Sequence, residues 1–155
     1  MRKASVWIAA LLLSSGIAAA ARAEEENVAA PKAAVVWPAA EIKWSENPVI
    51  KGAKIAVLWG DPKTGPYGAL KTIPGGVSIG LHTHTHDHRV LVVSGTVHLS
   101  VEGGPSKAFG PGSYAFLPGG TKHAVECKPG SDCVYLEEQS GPSDIQFVGQ
   151  PAPAK

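Results

Sequence analysis

From Glu41 onward the chain consists of short apolar runs broken at close intervals by glycine and proline. Strands are predicted at 54–58, 67–73, 77–81, 90–93, 96–101, 113–117, 123–127, 134–137 and 144–148. The breaks are turn sequences such as Gly60-Asp61-Pro62, Pro74-Gly75-Gly76, Ser94-Gly95, Pro118-Gly119-Gly120 and Pro129-Gly130. No window beyond residue 40 carries an apolar period of 3.6. Many short strands at regular spacing imply an all-β sandwich or barrel. The chain's 18 glycines and 13 prolines agree, since residues that break helices are tolerated at strand turns.

The N-terminus follows a different pattern. Arg2 and Lys3 precede an apolar run from Val6 to Ala21, and Ala21-Arg22-Ala23 has the small-x-small form of a signal-peptidase site. A secretory signal peptide over 1–23 is expected, in preference to a membrane anchor, because the run is short for a bilayer span. The next stretch, 24–40, is rich in Ala, Pro and Glu and reads as a flexible arm. Cleavage would remove Arg2, Lys3 and Arg22, leaving 11 basic residues against 13 acidic, net −2. A near-neutral chain without a basic cluster argues against a nucleic-acid partner. Export, to the periplasm or beyond the cell, would also let Cys127 and Cys133 form a disulfide across the turn between them; the alternative is a pair of free thiols.

Candidate chemistry concentrates in HTHTHDH, residues 82–88, which holds four of the six histidines. His82 and His84 have the same parity, so on a strand they project to one side, and imidazole suits Zn, Fe, Cu and Ni. An exposed chelating strip would explain this tract alone. It would not explain the spacing around it. Gly76, five residues, His82, one, His84, three, His88, six, Gly95 is followed by Gly112, five, Pro118, one, Gly120, two, His123, three, Cys127. These two runs resemble the paired motifs of the cupin superfamily. The stretches VLWGDP, HTHTHDHRVLVVSGT, GPGSYAFLPGGTKH and GPSDIQFV further resemble an uncharacterised branch of small cupins akin to the modules of ChrR-type anti-sigma factors.

The resemblance implies a single RmlC-like jelly-roll barrel, the cupin double-stranded β-helix, over 41–150 with a short tail at 151–155. It implies one divalent transition metal (Zn, Fe, Cu, Ni or Mn) held by His82, His84, His88 and His123. The family's glutamate position is occupied here by His88, so four neutral imidazoles would leave the site at +2, a charge that favours an anionic ligand. If His88 does not bind, a three-histidine site with open positions remains.

Other residues are weighed around that set. His86 falls in the irregular segment and reads as a rim group rather than a ligand, and Asp87 as a hydrogen-bond partner for a ligand ring or a solvated loop carboxylate. His98, between Val97 and Leu99, is expected to face outward; Trp37, Trp44, Trp59, Tyr114 and Phe116 are read as packing. If Cys127 and Cys133 lie opposite each other on a hairpin, His123 pairs with Glu137 and Val125 with Tyr135. Tyr135 and Glu137 then share the metal-facing side, and Glu137 becomes the candidate for the missing carboxylate, as ligand, as partner of a ligand, or as general base. A slip of one residue would turn Glu137 to solvent.

Three functions remain open at this point. One is an exported metal-binding protein that takes a small, anionic ligand. The second is a metal-dependent enzyme on a small molecule, dioxygenase-like with iron or copper, hydrolytic or isomerising with zinc. The third is a metal-free scaffold. No membrane association is expected after cleavage, and a homodimer is a family expectation.

Overall fold

A computed structural model describes residues 33–149. The expected leader at 1–23, the first part of the arm and the tail at 151–155 lie outside the described residues. Among those described, no helix is long and apolar enough to cross a membrane. After one turn of 3-10 helix at Ala39–Glu41, the regular elements of the described residues are all strands. The strands are β1 Ser45–Glu46, β2 Lys54–Gly60, β3 Tyr67–Ile73, β4 Ser78–Thr83, β5 His88–Ser94, β6 Val97–Val101, β7 Lys107–Phe109, β8 Tyr114–Leu117, β9 His123–Cys127, β10 Cys133–Gln139 and β11 Gln146–Phe147. All nine predicted strands are present; the short β1 and β7 were not anticipated.

Two antiparallel sheets form. One has the order β1-β2-β3-β10-β5-β8, the other β11-β4-β9-β6-β7. This is the double-sheet jelly roll expected of a cupin. Between the sheets, Ile50, Ala53, Ile73, Ile79, Val92, Val97, Cys127 and Cys133 form a buried cluster, with Phe109, Val125 and Tyr135 packed on it. Cys127 and Cys133 are disulfide-bonded and both fully buried.

Sheet membership corrects one expectation. β9 and β10 are not ladder partners, because the disulfide links one sheet to the other instead of closing a hairpin. His123 pairs with His82 and Val101, whereas Glu137 pairs with Ala69 and Val90. Glu137 nevertheless points inward, for a simpler reason. Side chains alternate along a strand, and Cys133 is in the core, so Tyr135, Glu137 and Gln139 follow it to the inner face.

Packing of the aromatic residues is also less complete than expected. β8 is an edge strand, and Tyr114 and Phe116 face outward, 57% and 46% exposed, where Arg89 lies over the Phe116 ring. Trp37 and Trp44 are also exposed. His98 alternates with buried Val97 and Leu99 and is half-buried opposite Glu126.

Candidate metal centre

Four histidines converge inside the protein because three short segments deliver them to one end of the space between the sheets. His82 near the end of β4 sits directly opposite His123 at the start of β9, with ring centroids 4.2 Å apart. His84 follows β4 by one residue, its ring 5.1 Å from that of His82 and 5.3 Å from that of His123. His88 opens β5, 4.7 Å from His84 and 6.0 Å from His123 by ring centroid. All four are buried.

The glycines of the second motif bring these segments together. The Gly120 N–H donates to the His84 carbonyl at 2.8 Å, and the Gly119 N–H to Asp87 Oδ1 at 3.0 Å. Gly119 is so close to the Thr85 carbonyl that a Cβ would lie 2.3 Å from its oxygen, and Gly120 has φ 81. A side chain at Gly119 would push the turn, and with it His123, away from the β4–β5 loop, and one at Gly120 would strain the backbone of the same turn.

Hydrogen bonds decide which nitrogen of each ring is available. His82 Nδ1 meets the Gly80 carbonyl at 2.7 Å, His123 Nδ1 the Thr121 carbonyl at 3.0 Å, and His84 Nδ1 the Asp144 carbonyl. A carbonyl only accepts, so each Nδ1 carries the proton and each Nε2 keeps its lone pair. Nε2 of His123 is buried with no hydrogen-bond partner among the described residues. One ligand atom from each of His82, His84 and His123 lies within 4.8 Å of the others. Three fixed imidazoles with inward lone pairs, one of them otherwise unsatisfied, fit a divalent transition metal.

Electrostatics points the same way. Burial disfavours imidazolium, lowering the pKa of His82 below the usual 6.5, of His84 to about 4 and of His123 to about 3, with the backbone carbonyls opposing the shift. These rings are therefore neutral and able to bind metal at physiological pH. The sign for the metal-free protein follows. The unfolded chain takes up these protons first, so stability present above about pH 6.5 is lost as pH falls towards about 4. The melting temperature of chelator-treated protein should drop across that window. A flat profile from pH 7 to 4 would mean that the rings are open to water.

His88 is held differently. Its Nε2 contacts Glu137 Oε2 at 2.8 Å, and its Nδ1 is buried without a partner among the described residues. Glu137, 2% exposed, receives the Tyr67 hydroxyl on Oε1 at 2.5 Å and an ion pair from Lys71 on the same oxygen. The register explains this convergence. Ala69 is directly opposite Glu137 on β3 and Val90 on β5, so Tyr67, Lys71 and His88 are the diagonal neighbours. Burial alone would raise the Glu137 pKa, but Lys71 and His88 outweigh it and hold the carboxyl well below the usual carboxylate range. Burial and then Glu137 push the Tyr67 hydroxyl well above its ordinary value, so it stays protonated as a donor. Both carboxylate oxygens are thus committed, and Glu137 reaches the centre through His88, not as a direct member of the three-histidine group.

The remaining candidates are dispersed. His86 packs flat against Gly141, where a Cβ would come within 2.4 Å of its ring. Asp87 bonds no histidine; it fastens the loop to Gly119 and, through its backbone, to Ser140. Tyr135 lines the cavity but packs on the apolar cluster. The partner of His84 is instead Asp144, whose side chain also accepts the Thr85 N–H and hydroxyl and the Gln146 amide. Sequence reasoning passed over Tyr67, Lys71 and Asp144. A lysine among the alternating inner positions Tyr67, Ala69, Lys71 and Ile73 was the available signal.

Comparison with known proteins agrees with the fold. Residues 12–146 match the family described as "Domain of unknown function (DUF4437)". No curated protein sequence matches. Among solved structures, the polyketide cyclase RemF from Streptomyces resistomycificus is 21% identical, with a TM-score of 0.63 over 75% of this chain and 86% of that one. KdgF from Halomonas sp. is 19% identical, with a TM-score of 0.58 over 70% and 94%. An RmlC-like cupin from Shewanella frigidimarina is 19% identical, with a TM-score of 0.57 over 69% and 89%. At these identities the likeness shows the cupin fold and nothing further.

Proposed function

The chain belongs to the DUF4437 family and has the cupin fold, and from that premise we propose that it is an exported protein that holds one divalent transition metal and presents it to a small anionic molecule. The observation that carries this reading is the buried, unpartnered Nε2 of His123 beside two other histidines whose Nδ1 protons are fixed by backbone carbonyls. Leaving such a nitrogen dry and unsatisfied costs roughly 1–3 kcal/mol, an arrangement that makes sense where a ligand takes the lone pair. A divalent ion bound there supplies Lewis acidity and an anchor for an anionic oxygen. The cavity next to the histidines, about 820 Å³, has the volume of a small-molecule site. The buried disulfide and the leader-like N-terminal sequence support export to an oxidising compartment.

A second reading, catalysis on the bound molecule, is favoured by one feature. His88 faces Glu137 with Nε2, and its Nδ1 is buried without a partner among the described residues. A ring fixed in that way can take a proton from a ligand or return one at Nδ1.

The test is tag-free protein recovered from the exported fraction and assayed for metal. One equivalent per chain is expected, with a melting temperature that falls on chelation and recovers when the ion is returned. Protein that carries no metal and gains no stability from Zn, Fe, Cu, Ni or Mn would end the proposal.

A further inference from the structure

The two sheets present unlike outer faces. On the five-stranded sheet the outward positions include Ser78, Ala124, Glu126, His98 and Ser100, the small and polar residues expected of a face in water. On the six-stranded sheet a row of large apolar residues runs directly across four strands. Leu70 on β3 is opposite Leu136 on β10, Leu136 is opposite Leu91 on β5, and Leu91 is opposite Tyr114 on β8. Val93 and Phe116 extend the row, and Leu91, Val93, Tyr114 and Phe116 are all exposed. Among the outward positions of these four strands only Glu138 and Arg89 are charged. They are directly opposite each other on β10 and β5, two residues along from Leu136 and Leu91. Neither forms an ion pair among the described residues.

From this pattern we infer that the protein forms a homodimer in which two six-stranded sheets pack outer face to outer face, about a twofold axis that runs along the strands between β5 and β10. Such an axis sets each position of β5 over the position of β10 that is opposite it in register. Leu91 then meets the partner's Leu136, Tyr114 meets the partner's Leu70, and Arg89 meets the partner's Glu138, each contact occurring twice by symmetry. Apolar side chains cover apolar ones and each charge finds its opposite, so the face is complementary to itself. An axis across the strands does worse. It stacks β5 on β5 and sets Arg89 against its own copy or against an apolar residue. Sheets packed with their strands within about 30° of each other are the aligned arrangement of β-sandwiches. Four strands are about 19 Å wide, which puts the contact at the low end of interface sizes, so association should be reversible. The inference stands apart from the metal reading, because β5 and β10 turn Leu91 and Leu136 outward but His88 and Glu137 inward.

Sedimentation velocity across the micromolar range tests this directly. The protein should pass from monomer to dimer as its concentration rises. Leu91→Glu, which sets a carboxylate against a leucine twice over, should stay monomeric throughout, whereas Ser100→Glu on the other sheet's outer face should dimerise like the parent. Arg89→Glu should weaken the dimer by about tenfold or more, because each new carboxylate faces the partner's Glu138. Adding Glu138→Arg to it should restore the dimer. All four positions are at the surface, so melting temperatures close to the parent's would show that the variants are folded. A protein that is monomeric at every concentration, or a dimer that Leu91→Glu leaves intact, would overturn the inference. So would a double charge reversal that dimerises no better than Arg89→Glu alone.

Discussion

Replacing His123 by alanine is expected to abolish metal retention, converting a protein with one equivalent of metal into one with almost none. The ring is 1% exposed, its Nδ1 is fixed to the Thr121 carbonyl, and its Nε2 has no partner among the described residues. His82 and His84 would remain, but two imidazoles from adjacent positions of one segment are a weak chelate. Losing even a residue that only orients a ligand typically costs 10–100-fold in affinity, so loss of a ligand should exceed about 100-fold. His98→Ala is the control, since that residue is on the other face of β6. Elemental analysis of both variants decides the matter. Full occupancy in His123→Ala would mean that the metal, if any, is held elsewhere.

The second large effect is expected at Glu137. Its substitution by glutamine leaves the Lys71 ammonium, 9% exposed, without a counter-charge in the interior. Breaking a buried ion pair from one side costs about 3 kcal/mol or more. The amide still accepts the Tyr67 hydroxyl, so the loss reports the charge and not a void. The double variant Lys71→Met with Glu137→Gln should recover most of that stability, because no buried charge is left unpaired. Metal affinity should change less than about tenfold in both variants, because His88, the ring that Glu137 holds, is outside the group of His82, His84 and His123. Denaturant unfolding and metal titration on the wild type and the two variants check both expectations. A loss of about 100-fold in affinity that persisted in the double variant would instead make the Glu137–His88 pair part of the metal site.

The ion pair also sets a limit in acid. The Glu137 pKa is depressed in the folded state, so its contribution is present above the ordinary carboxylate range and lost as pH falls through the folded value. That loss begins in the ordinary carboxylate range, at the lower end of the histidine window of the metal-free protein, and has the same sign.

Much of this architecture is local. Alternation along 67–73 and 123–127 marks both strands to the residue, and glycine and proline mark the turns between them. The motif spacing places His82, His84, His88 and His123 in one neighbourhood because each is counted from a glycine that the backbone requires at a turn. Other parts depended on contacts between distant segments. Glu137 was found through a ladder between β9 and β10 that does not exist, and it faces inward because parity along β10 is tied to the buried Cys133. Tyr67 carries no motif, and it reaches Glu137 across 70 residues of sequence only because β3 and β10 are neighbours in register. Asp144 likewise acts on His84 from 60 residues away.

The amino-acid sequence by itself determined the all-β class, the turn positions and the candidate ligand atoms' carriers, because side-chain period and turn chemistry act over a few residues. Only the tertiary structure decided which sheet each strand joined, which ring nitrogen was left free and which buried charges met. Those outcomes depend on cross-strand register, and one residue of slip would reverse every inward and outward face.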